Sequence, residues 1–288
     1  MLDASTSAAY ARAMKAWLGR PMWPTMLASL ILIALFVGAA ALALAGLIPL
    51  WAATPVALVA AHAGFTVLHE ASHRSISAGA RGLGWIDSVL GSIHAAMLLY
   101  DFPTFRFLHQ RHHAHTNRPD MDPDYWLQRF PLPAAALLSL FVPLHYLRLY
   151  LLAARDGAVS RRELTGSLLR IGLLLAVLAT ALVAAPVETF FLWLAPASLA
   201  SVLISVSHRL LHEAEVSTDR RRTTRIVTGE RFWEWVFCPL FWLNNHHLLH
   251  HESPRLPVMA HRKLFAEVGA DLEAAGAHIV RIGARPHE

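Results

Sequence analysis

A single cysteine, Cys238, stands in this chain of 288 residues. One thiol closes no intrachain disulfide and builds no multi-thiolate zinc site or iron–sulfur cluster. Charge is scarce as well: 16% of residues are charged, against about 25% in ordinary soluble domains. From Met22 to Leu68 there is no Asp, Glu, Lys or Arg. The chain also lacks a glycine-rich nucleotide fingerprint, a haem-attachment motif and any flavin signature. It carries no internal repeat and no low-complexity tract, only an Ala/Leu bias. These absences exclude a disulfide scaffold and a self-sufficient redox enzyme with its own electron store.

What remains is apolar. Hydrophobic residues make up 55% of the chain, and the mean hydropathy is +0.41. The uncharged stretch suffices for two membrane spans of about 20 residues each, with Pro49 at the turn and Trp51 as an interfacial aromatic. A second uncharged stretch, Ile171 to Ser207, is broken only by Glu188 near Pro186. The reading is an all-α membrane protein with about four transmembrane helices in two hairpins, near 24–46, 51–69, 168–185 and 188–207. Residues 1–21 read as a short helix on the cytoplasmic surface, since the apolar run after them is too long for a signal-peptide core. Ile86 to Leu99 is short and holds Asp87, so it reads as an interfacial or re-entrant helix. Prolines 119 and 123 make 117–124 a loop. Residues 131–154 are apolar but contain three prolines, His145 and Arg148, and read as lying along the membrane surface. The whole chain, 1–288, forms one domain whose cap comprises 74–165 and 208–288.

Net charge is +5 with a sequence pI near 9.9. Such a balance raises nucleic-acid binding, but the basic residues border apolar spans. They cluster at 12–20, 155–170 and 220–225, and the two hairpin tips carry none. That is the positive-inside pattern for four spans with both termini cytoplasmic, and it points to membrane orientation with no nucleic-acid partner.

Histidine is abundant: eighteen residues, eight of them in three clusters. His69 and His73 lie four apart. His109 precedes His112 and His113 by three and four, and His247 precedes His250 and His251 likewise. Residues three and four apart share a helix face, so each cluster aims its rings at one place. The adjacent pairs, 112/113 and 250/251, diverge by about 100° on a helix of 3.6 residues per turn, which lets them serve two neighbouring ions. Neutral imidazole suits iron, zinc, copper and nickel, and eight rings exceed the needs of one ion. With four spans all three clusters fall on the cytoplasmic side, which requires that 131–154 not cross. Asp122 and Asp124 are suited to accept imidazole N–H bonds, fix tautomers and offset charge, and Glu70 is a further candidate for that role. His115 and His246 lie beside the clusters but off their spacing. His62, His94, His145 and His261 read as structural.

The His-Glu-Ala-Ser-His at 69–73, the His-Gln-Arg-His-His-Ala-His-Thr-Asn at 109–117 with Asp-Pro-Asp downstream, and the Asn-His-His-Leu-Leu-His-His at 245–251 resemble the three histidine boxes of the membrane fatty-acid desaturase superfamily. That superfamily includes acyl desaturases and carotenoid hydroxylases and ketolases, and the likeness covers about 50–265. It implies a centre of two iron ions that activates O2 with two electrons from a separate ferredoxin- or cytochrome-type protein. It also implies a further ligand after the last span, for which His212 is placed, with His208 binding through water. Asn245, at the head of the third box, joins Glu70, Asp122, Asp124 and His208 around the ligands. The expected protein is integral and multi-pass, with its metal site cytoplasmic, as in a bacterial inner membrane.

Three other readings stand beside this one. His69-Glu70-Ala71-Ser72-His73 also fits a zinc-protease pattern with Glu70 as base, though it leaves six clustered histidines without a role. A metal transporter would need polar ligands at bilayer depth, which the later spans lack. Within the oxygenase class, acyl-lipid desaturation is favoured over carotenoid or lipid hydroxylation. An apolar chain is expected to enter from the bilayer between the helices, past Trp85, Tyr100, Phe102, Trp126 and Trp242. The arginines of 220–225 are a candidate dock for an acidic electron donor, with membrane orientation as the simpler account.

Overall fold

The structure is a computed structural model describing residues 4–213, 215–217, 219–229, 232, 241 and 244–283. Among the described residues, five helices are long and apolar enough to cross a membrane: α2 (Trp23–Leu44), α3 (Leu50–Ser72), the broken segment Leu132–Arg155, α9 (Arg161–Ala184) and α10 (Pro186–Leu211). The ends of these helices are set by capping chemistry as well as by apolarity. The α9 start is fixed by Ser160, whose side chain accepts from the Glu163 amide while Glu163 accepts from Ser160. This capping box extends the helix into the basic residues before its apolar run. Between α2 and α3 the chain reverses at Gly46, held at φ +70, a conformation glycine adopts without a Cβ clash. Pro49 then caps α3.

The broken segment consists of α7 (Leu132–Leu138), a 3-10 turn at Ser139–Phe141 and α8 (Val142–Arg155). Tyr146 on α8 donates its hydroxyl to Asp124 at 2.7 Å, so the chain returns to where it set out. From Tyr146 to Arg155 only about 14 Å of helix remain at 1.5 Å per residue, half of a hydrocarbon core near 30 Å. The segment is long and apolar enough for a fifth span, yet it is broken at Ser139–Phe141 and its middle returns to Asp124.

Shorter helices build the rest. α4 (Gly84–Met97) and α5 (Phe102–His115) pack over the end of α3. Close approach there is set by Gly64: a Cβ at that point would lie 2.4 Å from the ring of His94. α1 (Ala4–Trp17) lies on the C-terminal half, where Thr6 donates to Asp271 at 3.1 Å and Tyr10 donates to Glu252. α6 (Trp126–Arg129), α11 (Arg220–Thr223), α12 (His247–Glu252) and α13 (Val258–Ala274) complete the helices of the described residues. The predominantly helical reading holds, with one addition. β1 (Arg225–Gly229) and β2 (His278–Ile282) pair in parallel, Ile226 opposite Ile279 and Val227 opposite Val280. Both are short runs with β-branched residues, and their partners lie some fifty residues apart, beyond the reach of local pattern.

Candidate metal centre

Four elements bring the histidines together. α3 carries His69 at its last turn and His73 just beyond it; α5 carries His109, His112 and His113; the end of α10 presents His212; α12 carries His247, His250 and His251. α5 points correctly because Asp101 caps it, its side chain accepting from the Thr104 amide at 3.1 Å. Its inner face is then Phe105, Leu108, His109 and His112, all buried.

The rings divide into two groups. His69, His73, His109, His113 and His250 offer nitrogens that all lie within 4.8 Å of one another, and so do His112, His212, His247 and His251. The adjacent pairs separate as their 100° divergence requires: His113 and His250 face the first group, His112 and His251 the second. Contacts run from Nε2 to Nε2. In the first group His73 and His109 stand 2.8 Å apart, His109 and His113 3.2 Å, and His113 and His250 3.0 Å. In the second, His112 and His212 are at 3.1 Å and His251 and His247 at 3.2 Å.

This crowding tests whether the rings suit a cation. A neutral imidazole has one donor and one acceptor, so Nε2 atoms that each face two others cannot all be satisfied by hydrogen bonds. Nitrogens about 2.0–2.1 Å from a common ion stand about 2.9 Å apart at right angles and about 3.3 Å apart at tetrahedral angles. The observed spacings fall there. Electrostatics agree: burial, followed by the charge of neighbouring imidazoles, holds His109, His113, His247, His250 and His251 well below the ordinary histidine range. Burial and His112 bring His212 down to about 3. Neutral rings are the form that ligates. The donor set fits metal ions.

The surrounding residues differ in what they touch. Asp122 lies 2.8 Å from His112 Nδ1 and Asp124 3.9 Å from it. Burial alone would lower His112, but the charge and hydrogen bond of Asp122 raise it. Burial would raise Asp122, and His112 pulls it below its usual value. Burial, opposed by His112, leaves Asp124 at about 6. The His208 carbonyl accepts from His212 Nδ1 at 2.8 Å, and its ring stacks on His212 at 3.9 Å. Glu70 turns elsewhere: it accepts from Thr25 on α2 at 3.0 Å and from the Val258 amide on α13 at 2.8 Å, and no imidazole is among its hydrogen-bond partners. Asn245 also serves the frame, its Nδ2 donating to the Val227 carbonyl at 2.8 Å. His94 bonds Ser29, His145 the Pro123 carbonyl and His261 the Leu256 carbonyl.

Of the aromatics expected along an acyl path, Tyr100 and Trp126 line a cavity of about 60 Å3 that touches His69, His109, His208 and His247. Phe102 is instead buried beneath Gly91. Trp85 is 62% exposed and faces outward, and Trp242 lies outside the described residues. Sequence reasoning missed Tyr146 and Asn117. A buried-face hydroxyl near the start of an apolar helix was the signal for the first. Asn117 donates to the carbonyls of Glu213, Glu215 and Thr223 and its amide donates to Asp122; its positive φ of 62° sits at the end of the second box.

The sequence is similar to those of known proteins. The family model described as "Fatty acid desaturase" matches residues 48–283. An sn-1 oleoyl-lipid 12-desaturase of Synechocystis sp. is 34% identical over 93 residues, covering 32% of this chain and 24% of the relative. The enzyme of the same description from Anabaena variabilis is 33% identical over 105 residues, 36% and 28% of the two chains. The matched stretches amount to about a quarter of the length of these curated relatives. With the family match running from the α2–α3 turn to the second strand and enclosing all three histidine clusters, the chain belongs to the fatty acid desaturase family.

Proposed function

We propose that the protein is a membrane-bound oxidoreductase that desaturates a lipid acyl chain, using two iron ions, O2 and electrons from an external donor. The observation that carries this reading is the convergence of nine imidazoles into two adjacent groups at the wall of an apolar cavity. His69, His73, His109, His113 and His250 would hold one ion, and His112, His212, His247 and His251 the other. Bound there, the iron pair would supply the O2-dependent removal of hydrogen from an unactivated C–H bond.

The chain's own residues do the rest. Asp122, the His208 carbonyl and Thr116 occupy the Nδ1 atoms of His112, His212 and His251, which leaves each Nε2 free of a proton and aimed inward. Phe105, stacked on His109 at 5.4 Å, and Tyr146 form an apolar wall that keeps water from the reacting carbon. The names of the relatives favour acyl-lipid desaturation over hydroxylation. The protease reading loses its base, because both Glu70 oxygens are engaged away from the rings. The basic flanks support a cytoplasmic metal site with both termini on the same side, and a bacterial inner membrane is the proposed location.

The test is expression in cells followed by lipid profiling, beside His112→Ala and His250→Ala. New double bonds with the native chain alone support the reading. Unchanged lipids, or full activity and metal in both variants, overturn it.

A further inference from the structure

Beside the histidine cavity lies a second, membrane-facing hollow. It is an apolar groove of about 300 Å3 between α8, α9 and α10, lined by Leu144, Leu147, Leu174, Leu175 and Leu178 among others. Tyr100, Phe105 and Tyr146 line both spaces, so one layer of rings separates groove from histidines. Tyr100 and Tyr146 stack at 5.7 Å, and Phe105 stacks in turn on His109. Two hydrogen bonds hold the layer closed, Tyr146 to Asp124 at 2.7 Å and Tyr100 to Ser201 at 3.2 Å. Closure matters, because the inner cavity of about 60 Å3 is under half the roughly 150 Å3 that holds a benzene. With the layer in this position a chain lying in the groove stays apart from the histidines.

The mouth of the groove is cationic. Arg170 Nε donates to Asp101 at 2.7 Å across its upper rim. On the other side of that ion pair opens a polar groove of about 970 Å3 lined by Arg106, Arg162 and Arg170. Glu163 also lines it but is engaged by Ser160. Arg106 is half-buried and makes no hydrogen bond or ion pair among the described residues. The sequence places this mouth at headgroup depth: α9 is charged through Arg170 and uncharged from Ile171 to its end. Leu174 and Leu178 lie about 6 and 12 Å further along it, within one leaflet of a core near 30 Å.

We propose that the two grooves together form a binding site for one membrane glycerophospholipid, with its phosphate among Arg106, Arg162 and Arg170 and an acyl chain between α8 and α9, behind the Tyr100–Phe105–Tyr146 layer. Guanidinium groups at headgroup level suit phosphate oxygens, and the leucines suit the chain. The assignment rests on the desaturase reading for what happens to the chain, but not for its binding.

The experiment uses the full chain in vesicles of dioleoyl phosphatidylglycerol doped with the same lipid carrying a mid-chain diazirine. After illumination, labelled peptides are mapped by mass spectrometry. Leu169 and Leu173, on the outward face of α9, report ordinary surrounding lipid; they are 71% and 66% exposed. The site predicts labelling at Leu144, Leu147 and Tyr146 above that background, removed by Leu175→Trp or Leu144→Phe. Both leucines are more than half exposed, so neither substitution overpacks a core. The double variant Arg106→Gln/Arg162→Gln removes charge-assisted bonds and is expected to weaken groove labelling about tenfold. Labelling in the groove no stronger than at Leu169 and Leu173, or insensitive to all three variants, overturns the assignment. Product formation and iron content, read on the same preparations, report separately on the desaturase reading.

Discussion

The two histidine groups are built from the same boxes yet are held differently. In the second group, His112, His212 and His251 each have an Nδ1 partner in Asp122, the His208 carbonyl and Thr116, and all four rings are buried. In the first group, whose rings are buried as well, the Nδ1 atoms of His69 and His113 have no hydrogen-bond partner among the described residues, and in the second group that holds for His247 alone. The difference teaches that three of the four rings in the second group are oriented by hydrogen bonds from their surroundings, while His69 and His113 in the first have no such brace. A braced ring loses less freedom on ligation, so the second group is expected to hold its ion more tightly, and the first to release its ion first to a chelator.

The largest effect that would break this contrast comes from a ligand. His112→Ala is expected to abolish turnover and empty the second group, leaving about one ion per chain by metal analysis; retention of two ions refutes the grouping. Next comes its brace. Asp122→Asn is expected to weaken metal affinity at the second group by about 10–100-fold and to leave the first unchanged, as measured by chelator competition. Equal loss at both groups would erase the distinction.

Glu70 sharpens the comparison from outside it. As a clamp between α2, α3 and α13, Glu70→Ala strands the Thr25 hydroxyl and the Val258 amide, and is expected to cost about 1–3 kcal/mol of stability with metal content retained. Loss of activity with unaltered stability would instead restore Glu70 as a catalytic base.

The smallest effect concerns pH. In the metal-free protein His109, His113, His247, His250 and His251 sit below the ordinary histidine value of about 6.5 because burial disfavours their charge, whereas His112, raised beside Asp122, opposes them in part. As pH falls below that value the unfolded chain takes up protons that the folded chain refuses, so stability drops. Thermal unfolding of the metal-free protein in detergent is expected to shift to lower temperature between about pH 7.5 and 5.5; a flat profile contradicts neutral burial.

Much of this centre was legible in the sequence because helix geometry is local. Spacings of three and four put His109 with His113 on one face, and adjacency alone parted His112 from His113 and His250 from His251. The long uncharged runs marked α2, α3, α9 and α10. What escaped depends on distance along the chain. Glu70 looked like a partner for an imidazole until α2 and α13 supplied a hydroxyl and an amide. The β1–β2 pair joins two five-residue runs too short to register alone. Residues 132–155 show the limit of composition: apolar enough to cross, they are broken at Ser139–Phe141, and Tyr146 reaches back to Asp124.

The central claim is that these rings hold two iron ions. Metal analysis of the purified native chain, with His112→Ala beside it, tests it most directly. The account predicts about two irons per native chain and about one in the variant. A single zinc, or no transition metal at all, would contradict it.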